Sequence, residues 1–470
     1  MITHARDWTL GFQNASPPEC PEPVRLEVEG TIPDEIRGTL YRQGPGQFDV
    51  YGDRQRHWFD GDGLATSISF DGDGVTYRSR FVATKGKQKE DAAKKRIMRV
   101  FGNRPAGGLL TRLLRREGKN VANTNLVPHR EMLWAMYEGG RPYHLDADTL
   151  TTHGEESFGG ILAPGAKISA HPHRDPRTGD LWNFGLKRGK DTILSIYRLS
   201  AEGHFEQTHD VVIPVSGMVH DFALSASKLI FVLNPVDVPM PPIKLMTGQA
   251  CFADSLIYKP MKGTAVLLID RETDEQEWHH ADSFFTFHFA NAWDEGDETV
   301  IDLCNYDDFS IMRALTEVLQ GVARTPASSH LERLRVNRKG VIRERICETS
   351  MEFPRILEQG WASKRRRYYG ASWADRVWVS VPMVYDLETG ETELAPLPEH
   401  EFAGEPIPVP KAVGDIDDVW LLVTVLDVKA GRSELRVFDG NDLTAEPVAR
   451  AHLPQRLPYM LHGNWSPASV

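Results

Sequence analysis

The stretch AHPHRDPRTGDLWNFG, residues 170–185, carries two histidines one residue apart. On an extended segment the two side chains share a face, which suits a metal ion and equally suits a polar strand edge. The chain holds 17 histidines, and four stand in related contexts. They are His171 in SAHPHRDP, His220 in GMVHDFALS, His288 in FFTFHFANAWDEGD and His462 in PYMLHGNWSP. Three of them follow apolar or small residues, beside a strand-like run and just before a polar turn. The successive spacings are 49, 68 and 174 residues. Such distances exclude a local zinc finger or a helical H-E-x-x-H site. They suit ligands converging from separate blades onto one axis. His279 and His280, in EWHHAD, fall in a polar turn stretch and read as exposed. Asp60 and Asp62, in HWFDGDGL, look like acids, but Asp-Gly pairs are first of all turn formers, so their expected role is structural.

What must position these residues is a strand-rich scaffold. Runs such as DTILSIYRLS, KLIFVLNPV, TAVLLID and VWLLVTVLDVKAGRSELRVFDG show partial alternation and β-branched enrichment, with Gly-containing turns between them. They recur from start to end, and no ten-residue helical pattern alternates with them. The class is all-β, a propeller or a large barrel. Residues 89–102 (KEDAAKKRIMRVFG), 107–118 (GGLLTRLLRREG) and 312–322 (MRALTEVLQGV) read as helices. Residues 234–258 are rich in Pro and Met and show no strand period. Such insertions either cap one face and carry function or pack against the sheet rim. No linker or low-complexity segment divides the chain, so residues 1–470 read as one domain.

Composition bounds the rest. With 41% hydrophobic and 26% charged residues, the chain has ordinary globular content. Its formal net charge of −12 argues against a nucleic-acid role, and no protein partner is implied. Cys20, Cys251, Cys304 and Cys347 are scattered, with no C-x-x-C, and read as reduced thiols rather than a disulfide framework or zinc site. The N-terminal stretch has no apolar core of a signal peptide, and no run of about 18 apolar residues occurs. A cytoplasmic location is expected.

Several motifs, in order, carry a resemblance to the carotenoid cleavage oxygenase family. They are GTLYRQGPGQF (38–48), HWFDGDGL (57–64), ANTNLV (122–127), MYEGGRPYHLDADTLTTHG (136–154), the four histidine segments, EFPRI (352–356) and EFAGEPIPVP (401–410). The resemblance implies a seven-bladed β-propeller, with a helical and loop cap (insertions roughly 85–120 and 234–260) over an axial site. It implies one Fe(II) per chain held by His171, His220, His288 and His462, with O2 as co-substrate. Neutral imidazoles suit Fe(II), and each needs a partner to orient its other ring nitrogen. By resemblance Glu138 supports His220, Glu352 supports His288 and Glu405 supports His462, while His171 has no such partner. Without the family these glutamates would read as surface residues. His173 is then expected to be a solvated neighbour.

The same resemblance puts the methyl-bearing side chain of Thr124 beside an open metal position, although a Thr there also suits a strand-end turn. Phe59, Tyr137, Phe287, Trp293 and Tyr306 are candidates to line a substrate tunnel. Aromatics beside strands are more often core, and Phe59 is the one selected as lining. Tyr137 is placed in the pocket by its position before Glu138. The implied activity is cleavage of a conjugated C=C bond by O2 into two carbonyl products, on a hydrophobic polyene or an aryl-alkene. Members acting on phenolic stilbenes or phenylpropenes typically carry Lys immediately before the first supporting Glu. Tyr137 cannot supply that charge, which favours an apocarotenoid of the β-apo-carotenal type, giving retinal-like aldehydes. Leu109, Leu110, Leu113 and Leu114, flanked by Arg112, Arg115 and Arg116, would form an apolar face dipping into a membrane surface, or would pack inside the cap. A non-catalytic ligand-binding propeller and an isomerohydrolase remain open as alternatives.

Overall fold

Seven sheets of four or more strands account for most of the chain, and each packs face to face with the next. The structure is a computed structural model describing residues 7–114, 117–215, 217–239, 242–412 and 416–468. Blades 2 to 6 are four-stranded antiparallel sheets, built from consecutive strands except in blade 4, where a separate two-stranded pair lies between the second and third strands. Blade 2 runs from Asn125–His129 to Thr152–Glu155, and blade 3 from His173–Arg174 to Phe205–Ile213. Blade 4 begins at Ala223–Leu224, blade 5 at Phe285–Glu295 and blade 6 at Glu352–Arg355. The architecture is a seven-bladed β-propeller.

Two strand exchanges close the ring. The strand Gly463–Pro467 pairs antiparallel with Gly38–Gln47 and becomes the edge strand of blade 1. The strand Val28–Gly30 pairs with Ala449–His452 and becomes the opposite edge of blade 7. Each terminal region thus completes the sheet belonging to the other.

Period-2 alternation explains why the blades stack. In Lys228–Leu233, Leu229, Phe231 and Leu233 pack toward blade 3, whereas Ile230 and Val232 pack toward blade 5. Strands buried on both faces read as continuous apolar runs, which is why KLIFVL lacks the clean alternation of a half-exposed strand. Each of the seven junctions between neighbouring blades has its own buried hydrophobic cluster.

An eighth cluster covers one end of the ring, joining Trp8, Phe12, Trp58 and Trp378 to the helix Ser310–Leu319. Ile311, Leu315 and Val318 recur on one face of that helix and are buried there. The helix expected at 312–322 therefore exists, shifted toward the N-terminus by about half a turn. The helix expected at 89–102 occupies Lys85–Ala93, capped at its N-terminus by Thr84, whose Oγ1 accepts from Lys87 N. It ends at Lys94 in the left-handed conformation. The helix expected at 107–118 spans only Leu109–Leu114. Residues 234–258 hold a short helix, Ile243–Met246, and both strands of a small pair, Val236–Asp237 with Ile257–Tyr258. The four cysteines form no disulfide. No helix among the described residues is long and apolar enough to cross a membrane.

Candidate metal centre

The ends of the blades nearest the axis deliver the site. His171 and His220 lie just before the first strands of blades 3 and 4, and His288 lies in the first strand of blade 5. His462 immediately precedes Gly463–Pro467 in blade 1. Glu352 opens blade 6, Glu405 sits between the two short strands of blade 7, and Thr124 precedes blade 2. All seven blades therefore present a side chain to one point.

The four imidazoles converge there, with one ring nitrogen from each lying within 4.8 Å of all the others. Ring centroids of His171 are 4.4 Å from His220 and 4.6 Å from His462. Nε2 of His220 and Nε2 of His288 face each other at 3.2 Å. All four rings are buried, and Nε2 of His171 has no hydrogen-bond partner. A buried polar nitrogen without a partner is costly, and a metal ion supplies what it lacks. The donor set fits one metal ion held by four neutral nitrogens.

The other ring nitrogens of three of the histidines meet carboxylates. Nδ1 of His288 meets Glu352 Oε2 at 2.6 Å, Nδ1 of His462 meets Glu405 Oε1 at 3.0 Å, and Oε1 of Glu138 lies against Nδ1 of His220. His171 has no carboxylate partner; its backbone N–H donates to Ser169 Oγ, which donates to the His220 carbonyl. Two of the supporting carboxylates, Glu352 and Glu405, are themselves held. Tyr306 Oη donates to Glu352 Oε1 at 3.0 Å, and the Phe353 N–H donates to Oε2. Arg355 Nε and the Gly463 N–H donate to Glu405, and the Arg42 guanidinium lies 3.5 Å away. Burial raises the Glu405 carboxyl, but Arg355, His462 and Arg42 outweigh it and hold the carboxyl down to about 2. Burial, reinforced by the other imidazoles, keeps His171 well below the usual histidine range. Burial also takes His462 down to about 4 against the opposing pull of Glu405. These shifts keep His171 and His462 unprotonated, whereas at His288 burial is outweighed by Glu352 and the imidazole is raised.

Phe353, directly after Glu352, sits at φ 54°, in the left-handed region that a phenylalanine rarely occupies. Its ring lies 5.6 Å from His288 and 5.4 Å from His462. The register of blade 6 shifts between Glu352 and Arg355, so a local bulge aims the glutamate and the phenylalanine at the axis together.

Two expectations need correction. His173 is not a solvated neighbour: it is partly buried, and its Nε2 meets Asp221 Oδ1 at 2.9 Å. Asp221 also accepts the Phe289 N–H at 3.2 Å, so this pair ties together the segments bearing His171, His220 and His288. His279 and His280 lie in the strand Gln276–Ala281, not in a turn, and His279 is largely covered. Asp60 and Asp62 keep a structural role, but as buried groups. Asp60 accepts the Gly102 N–H at 2.7 Å, and Asp62 pairs with Lys119.

A cavity of about 1450 Å³ opens over the metal centre, larger than the ~300–1,000 Å³ of ordinary small-molecule pockets. Phe59, Thr124 and Tyr137 line it. So do Phe287 and Tyr306, which are at once core and lining. Trp293 is buried elsewhere, beneath the Arg333 guanidinium. Phe101, Leu245, Phe252 and Leu315, from the insertions and the helix Ser310–Leu319, wall the cavity as the expected cap. Leu110 is exposed; the side chains of Leu109, Leu113 and Leu114, and all of Arg115 and Arg116, lie outside the described residues. Sequence reasoning missed Arg355, Arg42 and Asp221. Their only signal was position, since Arg355 follows Glu352 by three residues and Asp221 adjoins His220.

A seven-bladed propeller with four axial histidines backed by three carboxylates defines a class: propeller enzymes with a four-histidine metal centre. Residues 14–467 match the family model described as retinal pigment epithelial membrane protein. The chain is 34% identical to apocarotenoid-15,15'-oxygenase of Synechocystis sp., over 98% of this chain and 96% of that protein. It is 29% identical to isoeugenol monooxygenase of Pseudomonas nitroreducens, over 94% of each. A solved structure of cobalt-substituted Synechocystis ACO superposes with a TM-score of 0.91 at 32% identity, over 98% of this chain and 99% of that one. The chain belongs to the retinal pigment epithelial membrane protein family, that of the carotenoid cleavage oxygenases, and is an enzyme of that family.

Proposed function

We propose that the chain is a non-haem iron(II) dioxygenase that cleaves a conjugated C=C bond of an apocarotenoid of the β-apo-carotenal type, yielding two carbonyl products, one a retinal-like aldehyde. The observation that carries this reading is the carboxylate-backed four-histidine cluster at the floor of a long, aromatic-lined cavity. Iron(II), when bound, supplies the activation of O2 at the positions the protein leaves open. His171, His220, His288 and His462 hold it as neutral ligands. Glu138, Glu352 and Glu405 accept from the distal nitrogens and fix ring orientation. Thr124, whose backbone carbonyl accepts from the His462 N–H and which lines the cavity, is assigned to limiting entry of a further ligand at the centre. Phe59, Phe287 and Phe353 exclude water and steer a flat conjugated chain. No side chain needs to act as a general acid or base.

Tyr137 decides between substrate classes. Burial, with Asp60 and Glu138 nearby, raises its phenol above the ordinary tyrosine value, so it carries no charge with which to pair a phenolate. That favours a polyene over the phenolic substrates named for isoeugenol monooxygenase and for resveratrol cleavage oxygenase 1 of Aspergillus fumigatus, the latter 28% identical. Leu110 is 73% exposed, Ile243 62% and Met246 51%. Arg112 of the first helix abuts Gly248, just beyond the second, so these apolar side chains are neighbours on the cap. We assign them to peripheral contact with a membrane surface from which a hydrophobic substrate is drawn.

The test is anaerobic reconstitution with Fe(II), addition of an all-trans β-apo-carotenal, admission of O2 and product analysis by chromatography with mass detection. Aldehydes that require both iron and O2 are expected. Intact polyene beside a cleaved hydroxystilbene would overturn the substrate class, and iron binding with neither substrate cleaved would overturn the activity.

A further inference from the structure

One wall of the cavity is chemically unlike the rest. Lys167 lines it, its backbone packed against Gly185, where an added Cβ would meet the Lys167 carbonyl. Its side chain is exposed, and it lines the cavity. Among the described residues Lys167 makes no hydrogen bond or ion pair. The other lysines of this wall are engaged. Lys85 meets Glu155 at 2.9 Å, and Lys119 is buried between Asp62 and Glu90. The carboxylates of the wall are engaged too: Glu138 on His220, Glu155 on Lys85 and Glu117 on Lys89. Two further cations face the same space. Arg99 donates to the Leu245 carbonyl at 3.4 Å, and Arg188 stacks over Phe252 at 5.3 Å.

Burial, with Arg188 and Arg99 adding their charge, brings the Lys167 ammonium down to about 8. It is still mostly charged at neutral pH. A positive cluster inside a cavity of a chain with net charge −12 runs against the overall balance. An unpaired ammonium partly removed from water is costly unless something anionic meets it. Lys167 lies four residues before His171, so their backbones are at most ~14 Å apart. A conjugated chain spans that distance.

We propose that Lys167, supported by Arg188 and Arg99, binds the carboxylate end of an elongated apolar ligand whose chain runs along the cavity toward the four histidines. The enzyme then prefers acid-ended polyenes to neutral ones. This deepens the polyene reading above and rests on it for the identity of the natural ligand, though not for the anion site itself.

The test is a fluorescence titration under argon of the iron-loaded protein with trans-parinaric acid, a conjugated tetraene carboxylic acid, and with its methyl ester. The wild type is expected to bind the acid about tenfold more tightly than the ester. Lys167→Met should bring the acid to the level of the ester and leave the ester unchanged, which also reports that the variant is folded. Lys167→Arg should keep most of the preference. Equal binding of acid and ester by the wild type would overturn the proposal. So would equal weakening of both by Lys167→Met, which would make Lys167 a packing residue. Should Lys167→Met fail to fold, Lys167→Gln takes its place under the same criteria. The titration needs neither O2 nor turnover, so a protein that cleaves no apocarotenal still passes or fails it independently.

Discussion

Replacing Glu405 by Gln keeps the shape of the side chain and removes its charge. Glu405 accepts from His462 Nδ1 at 3.0 Å, Arg355 Nε at 2.9 Å and the Gly463 N–H at 2.9 Å. All three partners are donors, so the amide NH2 of a glutamine must face at least one of them. Arg42, whose side chain is 1% exposed, loses the carboxylate 3.5 Å away and keeps only the carbonyls of Glu405 and Leu461. Breaking a buried ion pair from one side costs about 3–5 kcal/mol. The carboxyl pKa gives a second route to the number. It is held at about 2 against an ordinary 4.5, and at ~1.4 kcal/mol per tenfold step in proton affinity this is ~3 kcal/mol. The pKa is depressed in the folded state, so this stability is present above pH 4.5 and is lost as pH falls toward 2. Urea unfolding of metal-free wild type and Glu405→Gln at neutral pH should therefore differ by about 3 kcal/mol, with the gap closing between pH 4.5 and 2. Metal affinity should fall roughly 10–100-fold. Glu138→Gln is the contrast: that side chain is 27% exposed to the cavity, so it should lose metal affinity with little change in unfolding. Equal unfolding of Glu405→Gln and wild type across this pH range would refute the account of how blade 7 holds His462.

His171→Ala should abolish metal binding in a chelator-buffered titration while shifting the metal-free urea midpoint by less than ~1 kcal/mol, because Nε2 loses no hydrogen bond. Lys119→Met strands two buried carboxylates, Asp62 and Glu90, and should destabilise the protein by about 3–5 kcal/mol, with early proteolysis in the helix Lys85–Ala93 that Glu90 anchors. Tyr137→Lys should lower the ratio of apocarotenal to hydroxystilbene cleavage by at least about tenfold, measured as kcat/KM for each.

Strand content was legible because alternation and turn chemistry are local properties. KLIFVL and TAVLLID fall where β structure forms. Blade number was not legible from them, since it depends on which sheets stack, and the clusters between blades join residues distant in sequence. The four histidines that converge were legible because each lies beside a strand in a recognisable motif. The three glutamates looked like surface residues for a physical reason: a carboxylate is buried only when its partners come with it, and those partners come from other blades. His173 was misjudged on the same ground, since its acceptor Asp221 lies in the next blade. The helix expected at 89–102 begins four residues earlier and shares only 89–93 with the observed one, and the helix expected at 107–118 was drawn too long. The chain after Ala93 is held by other means, with Ile97 and Met98 N–H groups donating to Glu90.

The strand exchange that closes the ring couples metal acquisition to closure of the propeller. His462 and the strand Gly463–Pro467 are adjacent, so the fourth ligand and the last strand of blade 1 arrive together. A nascent chain that has not yet delivered this segment has three of its four imidazoles and an open blade. Its partner strand, Gly38–Gln47, is made more than 400 residues earlier and must wait with an unpaired edge. Pairing over such a separation is entropically slow, so ring closure is expected to be a late step. Iron uptake would then report ring-closed molecules, and chains lacking residues 462–467 would be left without the fourth ligand.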